Sequence, residues 1–332
     1  MKKHYKTVQF NKKGKEMKIG VSSCLIGELC RYNGQGSNYD FLTKILKNYA
    51  QIIPYCPEAE IFGTPREAIR LVNINSEIRV MTVNTKKDLT TPLEEICTKY
   101  AKDIASKQLS GFILKSKSPS CGMERVKLYE KDSYMCEKKA TGVFARAIRT
   151  ESPYLPLEEE GRLEDSWLRE NFVMQIFAYE HLHSFLDTNP TMADLVEFHT
   201  TYKYLIFAKS QKSYKALGRI VANQNRDTLI NILSTYKEEF LKAIAQKSSI
   251  KKSYNVLLHI FGYFKNDLNS IEKKELLESF DEFKQEIVPL ITPIKMLQLY
   301  THKFDKSYLA KQKFLHPYPS ELKLRSSIEI GK

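Results

Sequence analysis

The sequence predicts an α/β amino-terminal domain with a small, mostly parallel sheet, followed by an all-α domain. Three observations carry this. Short apolar β-type runs in the first half alternate with helical patterns. Three of those runs stop at a cysteine set among turn-forming residues, which places cysteine-bearing loops along one sheet edge. Beyond about residue 161 glycine and proline become sparse, and apolar residues recur at helical spacing.

Taken in order, residues 1–16 are a basic stretch with no apolar segment behind the lysines, so they do not read as a secretory signal. Residues 18–23 (KIGVSS) form a first strand that ends at Cys24, and Gly27, Asn33, Gly34 and Gly36 make the continuation a loop. Asp40 is placed to cap a helix with Phe41, Leu42, Ile45 and Leu46 on one face. Residues 51–55 form a second strand, ending at Cys56-Pro57-Glu58. Runs at 68–73 and 77–83 form a hairpin. Thr91-Pro92 opens a helix whose apolar face holds Leu93, Ile96, Cys97, Tyr100, Ala101 and Ile104. Residues 111–114 form a third strand, and the loop KSKSPSCG, residues 115–122, carries Cys121. An extended piece at 126–130 and a short helix at 142–149 complete the domain, expected to span 17–150.

Pro153, Pro156 and the acidic run 158–160 mark a linker between about Thr150 and Gly161. The all-α domain is expected over 161–332. Its helical patterns include Trp167, Phe172, Ile176, Phe177 and Leu182, then Leu195, Phe198, Tyr202, Leu205 and Ile206, the latter opened by Thr191 and Asp194.

The 332 residues are 42% hydrophobic, which excludes a largely disordered chain and suits two domains. No apolar run reaches the ~18 residues of a membrane span, so a cytoplasmic protein without membrane partners is expected. A formal net charge of +13 favours an anionic partner, nucleic acid first, although the lysines are scattered and also suit a solvated surface.

Cys24, Cys56 and Cys121 stand beside loop-shaping residues rather than on apolar faces. Grouped thiolates select zinc, copper(I) or iron-sulfur clusters, and three of them leave one coordination position open. The spacing contains no C-x-x-C pair, so three unrelated buried thiols remain an alternative. Cys30, in the same loop as Cys24, is a fourth ligand or a spare. Cys97 belongs to a helix core and Cys136 to a polar stretch. His181 and His183 fall on different sides of a helix, while His199 and His259 read as core histidines. Glu58 is the carboxylate best placed to move a proton or activate water, unless Arg66 or Arg70 simply pairs with it. Ser118 and Ser120 can donate hydrogen bonds to a ligand, and Lys115 and Lys117 can hold an anion.

The segments VSSCLIGELCRYNG (21–34), CPEAEIFGTPREAIRLV (56–72) and LKSKSPSCG (114–122) together resemble the thiouracil desulfidase family, over about residues 18–148. RENF (169–172), FHTTYKYLIFAKS (198–210), LLHIFGYF (257–264) and VPLITPI (288–294) resemble the YbgA-like helical domain often fused to it. The resemblance implies a [4Fe-4S] cluster held by Cys24, Cys56 and Cys121, whose open iron binds the sulfur of a thiolated uracil base or nucleoside. It implies a non-redox desulfidase releasing sulfide, with Glu58 as the candidate base; from the residues themselves Ser118 is a second catalytic candidate and Ser120 and Lys115 are candidate substrate contacts. Asn33, the run Gln35-Gly36-Ser37-Asn38 and Cys30 depart from the family pattern. The competing expectations are a tRNA-binding protein with a structural cluster or metal, and a colourless zinc protein.

Overall fold

The computed structural model describes residues 17–324 apart from 132, 134, 225 and 323. The stretch 1–16, expected as a basic tail, lies outside the described residues. The chain divides into two compact units, with the division after Leu168.

The first unit holds two four-stranded sheets. One has the order β2-β1-β5-β8, from β1 (Lys18–Ser22), β2 (Gln51–Tyr55), β5 (Gly111–Leu114) and β8 (Leu157–Glu159), and every neighbouring pair is parallel. The four residues of β5 are all buried, as expected of a central strand in a parallel sheet. The other sheet has the order β4-β3-β6-β7, from β3 (Ile69–Ile74), β4 (Glu77–Thr82), β6 (Val126–Glu130) and β7 (Cys136–Ala140). Between β3 and β4, Asn75 and Ser76 both take positive φ, the geometry a two-residue hairpin turn of type I′ needs.

Helices α2 (Thr90–Ser106) and α3 (Val143–Glu151) supply the rest of the core: Leu93, Ile96, Cys97, Ala101 and Ile104 on α2, Phe144 and Ile148 on α3. Phe112 and Phe144 meet edge-on at 5.6 Å between ring centroids, and Tyr55 packs 5.7 Å from Phe112. The Phe112 ring lies where a Cβ on Gly20 would stand, so glycine in β1 lets β1 and β5 pack closely.

Two expectations need correction. The supposed linker is part of this unit, because residues 157–159 pair in parallel with Phe112–Leu114 of β5 and their acidic side chains are buried. Residues 41–48 form a π turn (Phe41–Ile45) and a 3₁₀ turn (Leu46–Asn48) instead of one α-helix. Asp40 does not cap it; its carboxylate accepts from Asn38 and Lys44. Phe41, Leu42 and Leu46 are buried, while Ile45 is partly exposed.

The second unit is helical: α4 (Ser166–Leu186, entering from the first unit), α5 (Met192–Lys209), α6 (Gln211–Ala222), α7 (Leu229–Ala245), α8 (Ile250–Phe261), α9 (Ser270–Lys284) and α10 (Ile291–Lys303). Thr191 and Asp194 form a reciprocal capping box at the start of α5. Phe198, Tyr202, Tyr236 and Phe240 form an aromatic core, in which Tyr202 meets His181 Nδ1 at 2.9 Å and Tyr236 meets His199 Nδ1 at 3.3 Å. Burial pushes both histidines down to about 4, so they are neutral hydrogen-bonding partners at neutral pH. Tyr202 and Tyr204 are buried, whereas Tyr263 is exposed. Lys209 is fully buried, with its Nζ donating to Asn171 Oδ1 and the Gln246 carbonyl. No helix among the described residues is long and apolar enough to cross a membrane.

Candidate functional site

The parallel sheet brings the three loop cysteines to one edge. β1 runs into a 3₁₀ turn (Ser23–Ile26) that carries Cys24. β2 ends at Tyr55, and Cys56 is the residue before α1 (Pro57–Phe62), with proline at the first helical position. β5 ends at Leu114, and the chain turns through Ser118-Pro119-Ser120 to Cys121. Neighbouring strands lie about 4.8 Å apart, so adjacent strand ends bring residues distant in sequence close together.

The Cys121 loop is held tightly. The Ser118 hydroxyl accepts from the backbone N–H of Ser120 and Cys121, at 3.3 and 3.2 Å, which is a serine-capped turn. Gly122 N–H donates to the Ser118 carbonyl at 2.9 Å. A Cβ on Gly142 would collide with the Ser120 carbonyl, so only glycine lets α3 begin this close to the loop. Ser120 Oγ lies 3.5 Å from Cys121 Sγ.

Glu58 sits between the cysteine loops. Its Oε2 accepts from Arg66 Nη2 at 2.9 Å and Nε at 3.3 Å, while Oε1 accepts from Ser118 Oγ at 3.3 Å and from Ser120 Oγ. Both members of the ion pair are nearly buried, with side-chain exposures of 12% for Glu58 and 6% for Arg66. Arg66 Nη1 in turn donates to the Cys30 carbonyl at 2.9 Å and the Gly63 carbonyl at 3.0 Å. Of the two readings of Glu58, the pairing with Arg66 is present, and the same carboxylate also accepts from the serine loop. Arg70 is not its partner, and instead lies over the Tyr129 ring at 4.9 Å.

The thiols come close to one another. Cys30 is near enough to Cys24 and Cys56 for their thiols to act on its proton, and Cys56 Sγ lies 3.8 Å from the Cys30 carbonyl oxygen. Contact with Cys24 holds the Cys30 proton on, raising it to about 11 against an opposing pull from Cys56. The Cys56 thiol is pushed well above its ordinary range by its contact with Cys30 and by burial. Burial raises Cys121 to about 12, opposed by hydrogen bonds from Ser22 and Ser120. Glu58 and Cys56 are both near enough to Cys121 to act on it electrostatically. Cys97 is buried on α2, and Cys136 is exposed on β7.

Residues 158–160 support the same loop. Glu160 accepts from Ser116 N–H at 2.6 Å, from Ser116 Oγ at 2.8 Å, and pairs with Lys115 Nζ. Glu159 accepts from Met123 N–H at 2.6 Å on the far side of Cys121, and burial raises its carboxyl. Lys115, expected as a substrate contact, thus has its ammonium on Glu160. Lys117 is exposed. Sequence reasoning named Arg66 only as a partner of Glu58 and missed its hold on the Cys30 carbonyl, together with Ser22, Glu159 and Glu160; the triple glutamate was visible, but these partners are tertiary.

The donor set can be tested against a [4Fe-4S] group. Cys24, Cys56 and Cys121 are soft thiols on three neighbouring strand ends, and the oxygens of the nearby hard donor, Glu58, are already engaged by Arg66 and the two serines. Such a set suits a thiophilic centre. Among the described residues, no three Cys, His, Asp or Glu side chains gather into a cage for a single ion.

Residues 19–160 match the model of the 2-thiouracil desulfurase family, and residues 203–319 match a family described only as a protein of unknown function, DUF1722. The uncharacterized protein YbbK of Bacillus subtilis is 35% identical over 114 residues, covering 31% of this chain and 72% of its own length. The uncharacterized protein YbgA of Escherichia coli is 28% identical over 170 residues, covering 50% of this chain and 96% of its own. A solved chain described as the [4Fe-4S]-dependent thiouracil desulfidase TudS aligns over 45% of this chain and 94% of its own, at 24% identity and a TM-score of 0.37. The chain belongs to the 2-thiouracil desulfurase family, carrying that domain in its first unit and a YbgA-like helical domain in its second.

Proposed function

We propose that the protein is a [4Fe-4S]-dependent desulfidase that converts a thiolated uracil to its oxo form and releases sulfide, without net redox change. The observation that carries this is the Glu58 carboxylate bridging the loops of Cys56 and Cys121 through Ser118 and Ser120. Cys24, Cys56 and Cys121 would hold the cluster, which when bound supplies a Lewis-acidic iron for a thiocarbonyl sulfur.

The chain's own residues then divide the remaining work. Arg66 fixes Glu58 Oε2, so the other oxygen, Oε1, is the one presented to the serine loop. Glu58 Oε1 is the atom that takes a proton from a water attacking the thiocarbonyl carbon. Ser118 and Ser120 hydroxyls orient that oxygen, and on substrate binding they can turn to donate to a ring oxygen or nitrogen. The overall change is thiouracil plus water to uracil plus hydrogen sulfide, which balances with no external electron donor. Lys115 contributes through its pairing with Glu160, on the edge where an anionic substituent of a nucleotide would approach.

The net charge of +13 favours a polyanionic substrate, so a thiolated uridine within tRNA stands beside the free base and nucleoside. The test is anaerobic purification with iron and sulfide analysis, then turnover of 4-thiouracil, 2-thiouracil, 4-thiouridine and thiolated tRNA. Cys24→Ala, Cys56→Ala and Cys121→Ala should each lose the cluster. Glu58→Gln should keep it and lower kcat by about 100-fold or more, as removal of a positioned base does. A chain that binds tRNA with steep salt dependence and turns over none of these compounds would replace this reading with RNA binding.

A further inference from the structure

Cys30 is anchored into the site at several points. Cys56 Sγ lies 3.8 Å from its carbonyl oxygen, and the same carbonyl is held by Arg66 Nη1 at 2.9 Å, the guanidinium that also fixes Glu58. The loop around it is closed by Arg66 N–H to the Tyr32 carbonyl at 2.9 Å, Gly34 N–H to the Arg31 carbonyl at 2.9 Å, and Ser37 N–H to the Cys24 carbonyl at 2.8 Å. An incidental surface cysteine needs none of these ties. Cys24 and Cys121 are buried, whereas Cys30, like Cys56, is half-buried, and its neighbour Leu29 is 69% exposed.

Three thiolates leave a cluster with one open position. We infer that Cys30 is a removable fourth thiolate, which caps that position when no substrate is bound and gives it up to the substrate sulfur. The inference rests on the cluster reading above. In capping, the Cys30 S–H bond breaks, its proton passes to solvent, and the sulfur lone pair fills the coordination site. When the thiocarbonyl sulfur arrives, the thiolate leaves and takes a proton back. No electron is transferred in either direction.

The arrangement has a consequence that an empty or water-filled position lacks. An uncapped cluster loses its unique iron readily on oxidation, and a thiolate on that iron opposes the loss. It also gives the site a selectivity rule: a ligand with oxygen in place of sulfur is a poorer competitor for the iron than a thiolate, so the uracil product is released as Cys30 returns.

The experiment uses the full chain, reconstituted anaerobically, as wild type, Cys30→Ala and Cys30→Ser. Iron and sulfide per chain are measured before and during ferricyanide titration, with EPR detection of the [3Fe-4S] product. Separately, iodoacetamide labelling is mapped by mass spectrometry with and without 4-thiouracil, and exposed Cys136 serves as the internal reference. Expected are equal starting iron in all three proteins, and loss of one iron about tenfold faster in both variants, the scale on which ligand-shell changes act. Cys30 labelling in the wild type should be slow without 4-thiouracil and rise when it is added, while Cys136 labelling stays constant. Equal iron loss in wild type and variants, or Cys30 labelling indifferent to 4-thiouracil, would overturn the inference alone. Loss of all iron from both variants with unchanged circular dichroism would make Cys30 a permanent ligand and also overturn it. A wild type that takes up no iron would overturn the cluster reading together with this one.

Discussion

Glu160→Ala should destabilise the first unit and loosen the loop that carries Cys121. The side chain is 11% exposed and collects three donors: Ser116 N–H at 2.6 Å, Ser116 Oγ at 2.8 Å and Lys115 Nζ, itself 24% exposed. A charge-assisted bond to a backbone N–H left without a partner costs about 1.5–3 kcal/mol, and the hydroxyl adds about 1 kcal/mol. Lys115 can turn toward water, so the lost ion pair adds only about 0.5–1 kcal/mol, near the surface value. The sum is about 3–5 kcal/mol. For a unit of this size that corresponds to a fall in Tm of about 6–20 °C, read by urea titration and scanning calorimetry of the full chain. Glu160→Gln keeps an acceptor for Ser116 and should cost about half as much. A cycle with Lys115→Met should return a coupling of about 0.5–1 kcal/mol. If Glu160→Ala unfolds within 0.5 kcal/mol of wild type, about the limit for a surface change, the acidic strand does not support the site.

Four further outcomes follow from the same structure. Glu159→Gln retains an acceptor for Met123 N–H and removes a carboxyl that burial raises; wild-type stability should fall as pH rises through the carboxylate range, and the variant should flatten that fall in urea titrations between acid and neutral pH. Arg66→Met should leave folding detectable by circular dichroism but lower turnover by about 100-fold, because Glu58 and the Cys30 carbonyl both lose their anchor. Lys209 is lowered from 10.5 to about 8 by burial, so below pH 8 the fold bears the cost of a buried charge, and stability should rise as pH climbs from 8 to 10.5. Lys209→Met should remove that rise and stabilise the helical unit at pH 7 by about 2 kcal/mol, the ionisation cost of about 3 less about 1 for the orphaned Gln246 carbonyl. His181, lowered to about 4, should cost stability as pH falls from 6.5 toward 4, a loss that His181→Gln reduces in acid titrations.

Much of this architecture was readable because local chemistry and tertiary role agree. The runs ending at Cys24, Cys56 and Cys121 break into Ser, Pro and Gly, and those breaks are strand ends of one parallel sheet. Two β-rich runs stand either side of Asn75-Ser76, so the β3–β4 hairpin was visible as well. β8 was hidden because Leu-Glu-Glu has neither alternation nor β-branched residues; its pairing with β5 and the N–H and ammonium groups waiting for its carboxylates define it. β7, CEKKA, escaped for a related reason: its side chains from Cys136 to Lys139 are all exposed and polar, and pairing with β6 alone makes it a strand. At the candidate site the thiols and Glu58 were legible as types in loops. That Arg66 would join Glu58 to the Cys30 carbonyl depends on bringing the segment after α1 back onto the first loop, which no spacing encodes.

The sheet order β2-β1-β5-β8 also acts as a ruler. Donor separation across the site is set by inter-strand spacing and by where each strand stops, not by the length of chain between cysteines. Lengthening the connection from β2 to β5, or adding residues to an exposed turn such as Asn75-Ser76, should leave the thiols where they are. Deleting one residue within β1 would draw Cys24 back by about 3.3 Å and turn every following side chain of that strand to the opposite face. Natural variation in this domain should therefore collect in the helices and hairpins, with strand lengths held constant to the residue.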